Sequence, residues 1–139
     1  MSESKEAEPP KKLRLTQEVG WESIKPLAGD TIVCSYQLGA YASTSDEGHH
    51  NPYAELVNGK AFPIAYAGLN TSHPTMKGNL GEAPLVKAAE DEDQIVLVER
   101  NALGNVFTHT ISRSLRRAIW TKSYFGPYAW GSVYIGVCQ

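Results

Sequence analysis

Apolar and polar positions alternate most clearly in the last third of the chain. Residues Ile95, Val96, Leu97 and Val98 form an aliphatic, β-branched run. This pattern predicts strands over 94–100, 106–112, 118–124 and 130–138. Turn chemistry separates them: Gly104 lies within 101–105, Arg residues crowd 113–117, and Gly126-Pro127 sits within 125–128. Strands joined by short turns specify an antiparallel meander. Upstream, 31–42 reads as a strand, with Ile32, Val33, Tyr36, Leu38 and Tyr41 among small residues. Two shorter strands follow over 54–57 and 62–67. Asn58-Gly59 lies between them and favours a tight hairpin turn, because both positions accept positive φ. Residues 43–53 and 68–84 read as loops, rich in turn-forming residues, and the acidic run 90–93 as a solvated turn. Segment 85–90 fits a short strand or a helical turn. No long amphipathic helix is indicated.

Residues opposite one another across a ladder share a face, so a register can be tested by parity. Setting Leu97 against His109, Ile111 against Trp120 and Tyr124 against Trp130 sorts the meander into two faces. One carries Ile95, Leu97, Phe107, His109, Ile111, Trp120, Tyr124, Trp130 and Tyr134. The other carries Val96, Val98, Thr108, Thr110, Ser112, Ile119, Thr121, Ser123, Val133, Ile135 and Val137. The first is aromatic, the second β-branched and hydroxyl-rich, and neither is strongly charged. A sheet with one wet face alternates more sharply than this. The pattern therefore predicts an all-β fold: a small antiparallel barrel or sandwich with a C-terminal four-strand meander, its aromatic face inward.

Residues 1–18 differ from the rest. They mix acidic and basic side chains with Pro9-Pro10 and few apolar residues, too few to offset the entropy of ordering. The division is a disordered tail over 1–18 and a single β-rich domain over 19–139. A chain of 139 residues is long enough for one such core. The net charge of −2 argues against a nucleic-acid partner, which calls for a basic face. No apolar run reaches the length of a membrane helix and no signal-like h-region opens the chain, so no membrane partner and a cytoplasmic setting are expected. In that setting Cys34 and Cys138 are expected as reduced, buried thiols.

Candidate chemistry is sparse. Gly48-His49-His50-Asn51-Pro52-Tyr53-Ala54-Glu55 gathers two imidazoles and a carboxylate. Cupins place two His one residue apart, with a Glu a few positions later. Adjacent His residues on a strand would point to opposite faces. The spacing therefore fails as a metal motif, and neither metal nor cofactor is expected. His73 lacks any nucleophilic Ser motif around it. Arg113, Arg116, Arg117 and Lys122 read as a solvated hairpin tip.

His109 differs, because parity places it among aromatics with Lys122 opposite. It is a candidate acid/base, with Tyr124 or Tyr134 as a hydrogen-bond donor to substrate. Trp120, Trp130, Tyr134 and Phe107 are candidate ligand-binding residues lining an aromatic interior. Three functions follow: a protein that binds a small apolar or aromatic molecule; a small cofactor-free isomerase, cyclase or hydratase; or an interaction module that self-associates through a sheet edge or its Thr-rich face. Val19-Gly20-Trp21 ahead of a meander resembles the lipocalin-like calycins. Those carry G-x-W and a helix after the last barrel strand, so the resemblance implies architecture and no site residue.

Overall fold

A computed structural model describes residues 25–44, 53–79, 81–100, 105–125 and 129–139. The expected tail over 1–18, the His49-His50 pair and Trp21 lie outside them. The strands are β1 (Ile32–Ser43), β2 (Tyr53–Ala67), β3 (Thr75–Gly78), β4 (Gly81–Pro84), β5 (Val86–Glu90), β6 (Gln94–Arg100), β7 (Val106–Ser112), β8 (Arg117–Phe125) and β9 (Ala129–Cys138). They form one antiparallel sheet in the order β4-β3-β2-β1-β9-β8-β7-β6-β5.

This order explains the curvature. β4 and β5 are opposite edges of the sheet, yet only Leu85 separates them along the chain. Edges joined by one residue must meet in space, so the sheet curls into a nearly closed barrel. In effect β4 and β5 are one bent strand that pairs with β3 first and with β6 afterwards. The Leu85 amide donates to the Pro74 carbonyl at 2.9 Å, and Lys87 Nζ donates to the Leu69 carbonyl at 2.6 Å. Both bonds hold the bend against the β2–β3 connection.

Side chains alternate between the interior and the outer face, with the inward parity changing where the β1–β2 and β5–β6 ladders are irregular. Ile32, Cys34, Tyr36, Ile64, Tyr66, Ile95, Leu97, Ile111 and Ala118 are at most 2% exposed. Each large apolar side chain buried to this extent stabilises the fold by about 1.5–3 kcal/mol. Two inward rows cross the sheet where glycine is required. Tyr36 lies over Gly136, and Tyr134 over Gly39. A Cβ at Gly136 would sit 2.8 Å from the Tyr36 ring, and one at Gly39 would sit 2.5 Å from both the Tyr134 ring and the Val133 carbonyl.

One end of the barrel is stoppered. The Asp30 carboxylate accepts from the amides of Gly68 and Asn70 at 3.0 and 2.8 Å, which holds fully buried Leu69 over the opening. Arg113 joins this cap by donating to the carbonyls of Leu27 and Gly29. Part of the expected solvated Arg tip is therefore spent on structure.

Outward positions are uncharged across two full rows. Val98, Thr108, Thr121, Val133, Ala40 and Leu56 are successive partners. So are Val96, Thr110, Ile119, Ile135 and Leu38. Ile119, Val133 and Ile135 are exposed, and Thr108 and Thr121 are bonded through their hydroxyls.

Four expectations are corrected. First, Cys34 and Cys138 form a disulfide rather than two thiols. They are direct partners across the β1–β9 ladder, with Cα atoms 4.0 Å apart. Pairing partners 104 residues apart in sequence are invisible to local pattern. Second, Asn58-Gly59 is not a hairpin turn but lies inside β2, which runs unbroken along β1 past a bulge between Tyr36 and Leu38. The long ladder outweighs the local turn preference. Third, the expected loop 68–84 contains β3 and β4, which are too short and too polar to show alternation. Fourth, Ile111 faces Ala118, while Trp120 faces His109. Ser112 pairs directly with Arg117 across a tight turn with Arg116 at φ 53°, so the register moves by two residues and the faces survive. Leu97–His109 and Tyr124–Trp130 pair as expected.

Candidate functional site

The inward row Leu97–His109–Trp120–Tyr134 crosses β6 to β9 at mid-barrel. The next row toward the unstoppered end is Glu99–Phe107–Lys122–Ser132. Together they place a charged and polar layer directly over an aromatic one.

His109 is fully buried, and its ring stacks on Trp120 at 5.5 Å between centroids. Its Nδ1 lies 2.7 Å from the Tyr66 hydroxyl, which lies 2.6 Å from that of Tyr36. On the other side Nε2 is 3.5 Å from Glu99 Oε2, within ion-pair range but without a hydrogen bond of good geometry. Donor accounting assigns the direction. Tyr36 donates to Tyr66, Tyr66 donates to Nδ1, and the hydrogen on Nε2 faces Glu99. Each buried hydroxyl then has a use for its proton. Burial, the larger influence, raises both phenol pKa values well above the ordinary tyrosine value.

Lys122 reaches back over the aromatic layer. Its Nζ lies 3.9 Å from the Trp120 ring centroid, 5.7 Å from that of Tyr134 and 6.0 Å from that of Phe107. Such contacts favour the ammonium by about 0.5–2 kcal/mol. Burial works against the charge and lowers the lysine pKa, while the Glu99 carboxylate opposes that shift. Among the described residues Nζ has no hydrogen-bond or ion-pair partner, so ring faces are its principal company. Lys122 therefore does not belong to a solvated tip, and it faces Phe107 rather than His109.

These groups wall a half-enclosed pocket of about 570 Å³. Phe62, Ile64, Met76, Phe107 and Trp120 supply apolar walls, Glu82, Glu99 and Lys122 the charges, and the β3–β4 turn one rim. The Trp120 Nε1 and Ser132 Oγ are buried and lack partners among the described residues. An aromatic recess with a few convergent polar groups is the usual form of a small-molecule site.

The expected site residues separate into three groups. Trp120 and Phe107 line the pocket. Tyr134 and His109 lie behind it, packed on Trp120 at 5.7 and 5.5 Å. Tyr124 and Trp130 stack on each other at 5.6 Å and are not among its lining. Pattern reading missed Glu99, although it shares the inward parity of Leu97, and a carboxylate at such a position is a signal in itself. It also missed Phe62, Ile64, Met76 and Glu82, whose approach depends on how β2 to β4 curl. Among the described residues no cluster of His, Cys, Asp and Glu has the makings of a metal site, and no helix is long and apolar enough to cross a membrane. Comparison of the chain with protein-family profiles, curated proteins and solved structures gives no match in any of the three.

Proposed function

We propose that the protein binds a small, planar, largely apolar molecule inside its barrel. The observation that carries this reading is the 570 Å³ recess, which Phe62, Phe107 and Trp120 line together with Lys122 and Glu99. Aromatic walls favour a flat ligand, and the two charged groups give it a polar end to be held by. In a catalytic version of this reading, Glu99 would meet the substrate and His109 would orient it from behind. The exposed outer rows support self-association as a second reading, which sedimentation velocity decides: a dimer at micromolar concentration favours it and a monomer removes it. As to setting, the Cys34–Cys138 bond supports an oxidising compartment over the cytoplasm expected from the first residues.

The test is a fluorescence titration with 2-naphthalenemethanol, a flat apolar probe. Saturable binding to the parent chain is expected, weakened at least about tenfold by Trp120→Leu, the loss of about 1.4 kcal/mol of contact. Trp130→Leu, away from the recess, should bind as the parent does. Equal binding by Trp120→Leu and the parent would refute the reading.

A further inference from the structure

The Lys122 amine is placed to do more than hold a polar end. Its surroundings combine four features. It opens on the recess, it is half-buried against ring faces, it lacks an acceptor among the described residues, and a carboxylate, Glu99, stands two strands away in the same inward row. The charge of the walls narrows the ligand class. Glu82 and Glu99 oppose a single ammonium, so an anionic ligand meets net repulsion. A neutral ligand does not.

We propose that the recess captures a neutral aromatic aldehyde or ketone as a Schiff base on Lys122, an inference that rests on the ligand-binding reading above. The ammonium first yields a proton to the Glu99 carboxylate through solvent in the half-enclosed recess, since the two side chains are not in direct contact, and burial of the amine favours the loss. The free amine attacks the carbonyl carbon. A C–N bond forms, the carbonyl π pair moves to oxygen, and a proton passes from nitrogen to oxygen to give a carbinolamine. Protonated Glu99 then returns its proton to the hydroxyl, water departs, and the nitrogen lone pair closes the C=N bond. The product is an iminium, with the charge that Lys122 began with and Glu99 restored as its counter-ion. No oxidant or reductant enters. The rings of Trp120, Tyr134 and Phe107, which now face the ammonium, would face the iminium instead.

The experiment treats the full chain with 2-naphthaldehyde and sodium cyanoborohydride at neutral pH, followed by intact mass measurement and peptide mapping. One adduct per chain is expected, on Lys122, formed at least about tenfold faster than on any surface lysine. Lys122→Arg keeps a cation over Trp120 but cannot form the imine, and should lose that adduct. If the variant fails to fold, mapping of the parent chain decides alone. Labelling spread evenly over the lysines, or no labelling, overturns the inference. Binding of 2-naphthalenemethanol separates the two claims. If it binds while Lys122 stays unmodified, covalent capture fails and the pocket reading stands. If it does not bind and Lys122 is unmodified, both fail.

Discussion

Replacing Cys34 and Cys138 by Ala in one variant should cost this barrel a large part of its stability. The bond spans 104 positions of sequence and crosses the β1–β9 ladder, which joins the first and last strands at the middle of the sheet. Cross-linking a loop of that length removes unfolded-chain entropy worth about 4.7 kcal/mol in the loop-closure treatment. Natural domains are stable by only about 5–15 kcal/mol, so the loss takes a third or more of the total. At about 2.1 cal/mol/K of unfolding entropy per residue, the described body should melt about 20 °C lower. Both cysteines are buried, and alanine introduces no unpaired hydroxyl that would confuse the comparison. The assay is a thermal melt followed by circular dichroism, run on the variant and on the parent chain with and without reductant. The variant and the reduced parent should agree within a few degrees. A drop below about 5 °C in both would refute the argument, since it would mean that the ladder holds the first and last strands together without help.

Three further outcomes follow from the interior. Tyr66→Phe removes the hydroxyl that bridges Tyr36 and His109, leaving two buried polar groups without that partner; urea unfolding should show a loss of about 2–3 kcal/mol. Gly136→Ala drives a methyl into the Tyr36 ring and should cost about 1–3 kcal/mol by the same assay, whereas Gly59→Ala, with open space around it, should cost less. Because burial raises the Tyr36 and Tyr66 pKa values above the ordinary 10, their contribution to stability is full below pH 10 and falls as pH rises beyond it. Absorbance at 295 nm should therefore show these two phenols ionising only together with alkaline unfolding, and smooth titration of all tyrosines before unfolding would contradict their burial.

The meander was legible because its signals are local. Alternation in β6 to β9 placed His109, Trp120 and Phe107 inward before any pairing was known. Parity survived a register error of two residues at Ile111, because an even shift keeps each side chain on its face. The other half of the barrel was legible only in part: the strand read over 31–42 is β1 and those over 54–57 and 62–67 are the ends of β2, but the rest was not read, for a physical reason. Asn58-Gly59 carries a strong turn preference that only the extended ladder with β1 overrides. β3 and β4 are four residues each and take their form from their neighbours. The recess lies where the two halves meet, so its Trp120 wall could be read and its Phe62, Ile64 and Met76 wall could not. The disulfide is non-local in the same way, created by the pairing of β1 with β9.

The ligand site itself is tested most directly by mapping amide and side-chain chemical shifts of labelled protein during titration with 2-naphthalenemethanol. The account predicts that perturbations cluster on Phe62, Ile64, Met76, Phe107, Trp120 and Lys122, inside one end of the barrel. Perturbations confined to Ile119, Val133 and Ile135 on the outer rows, or to the stoppered end at Leu69, would contradict it.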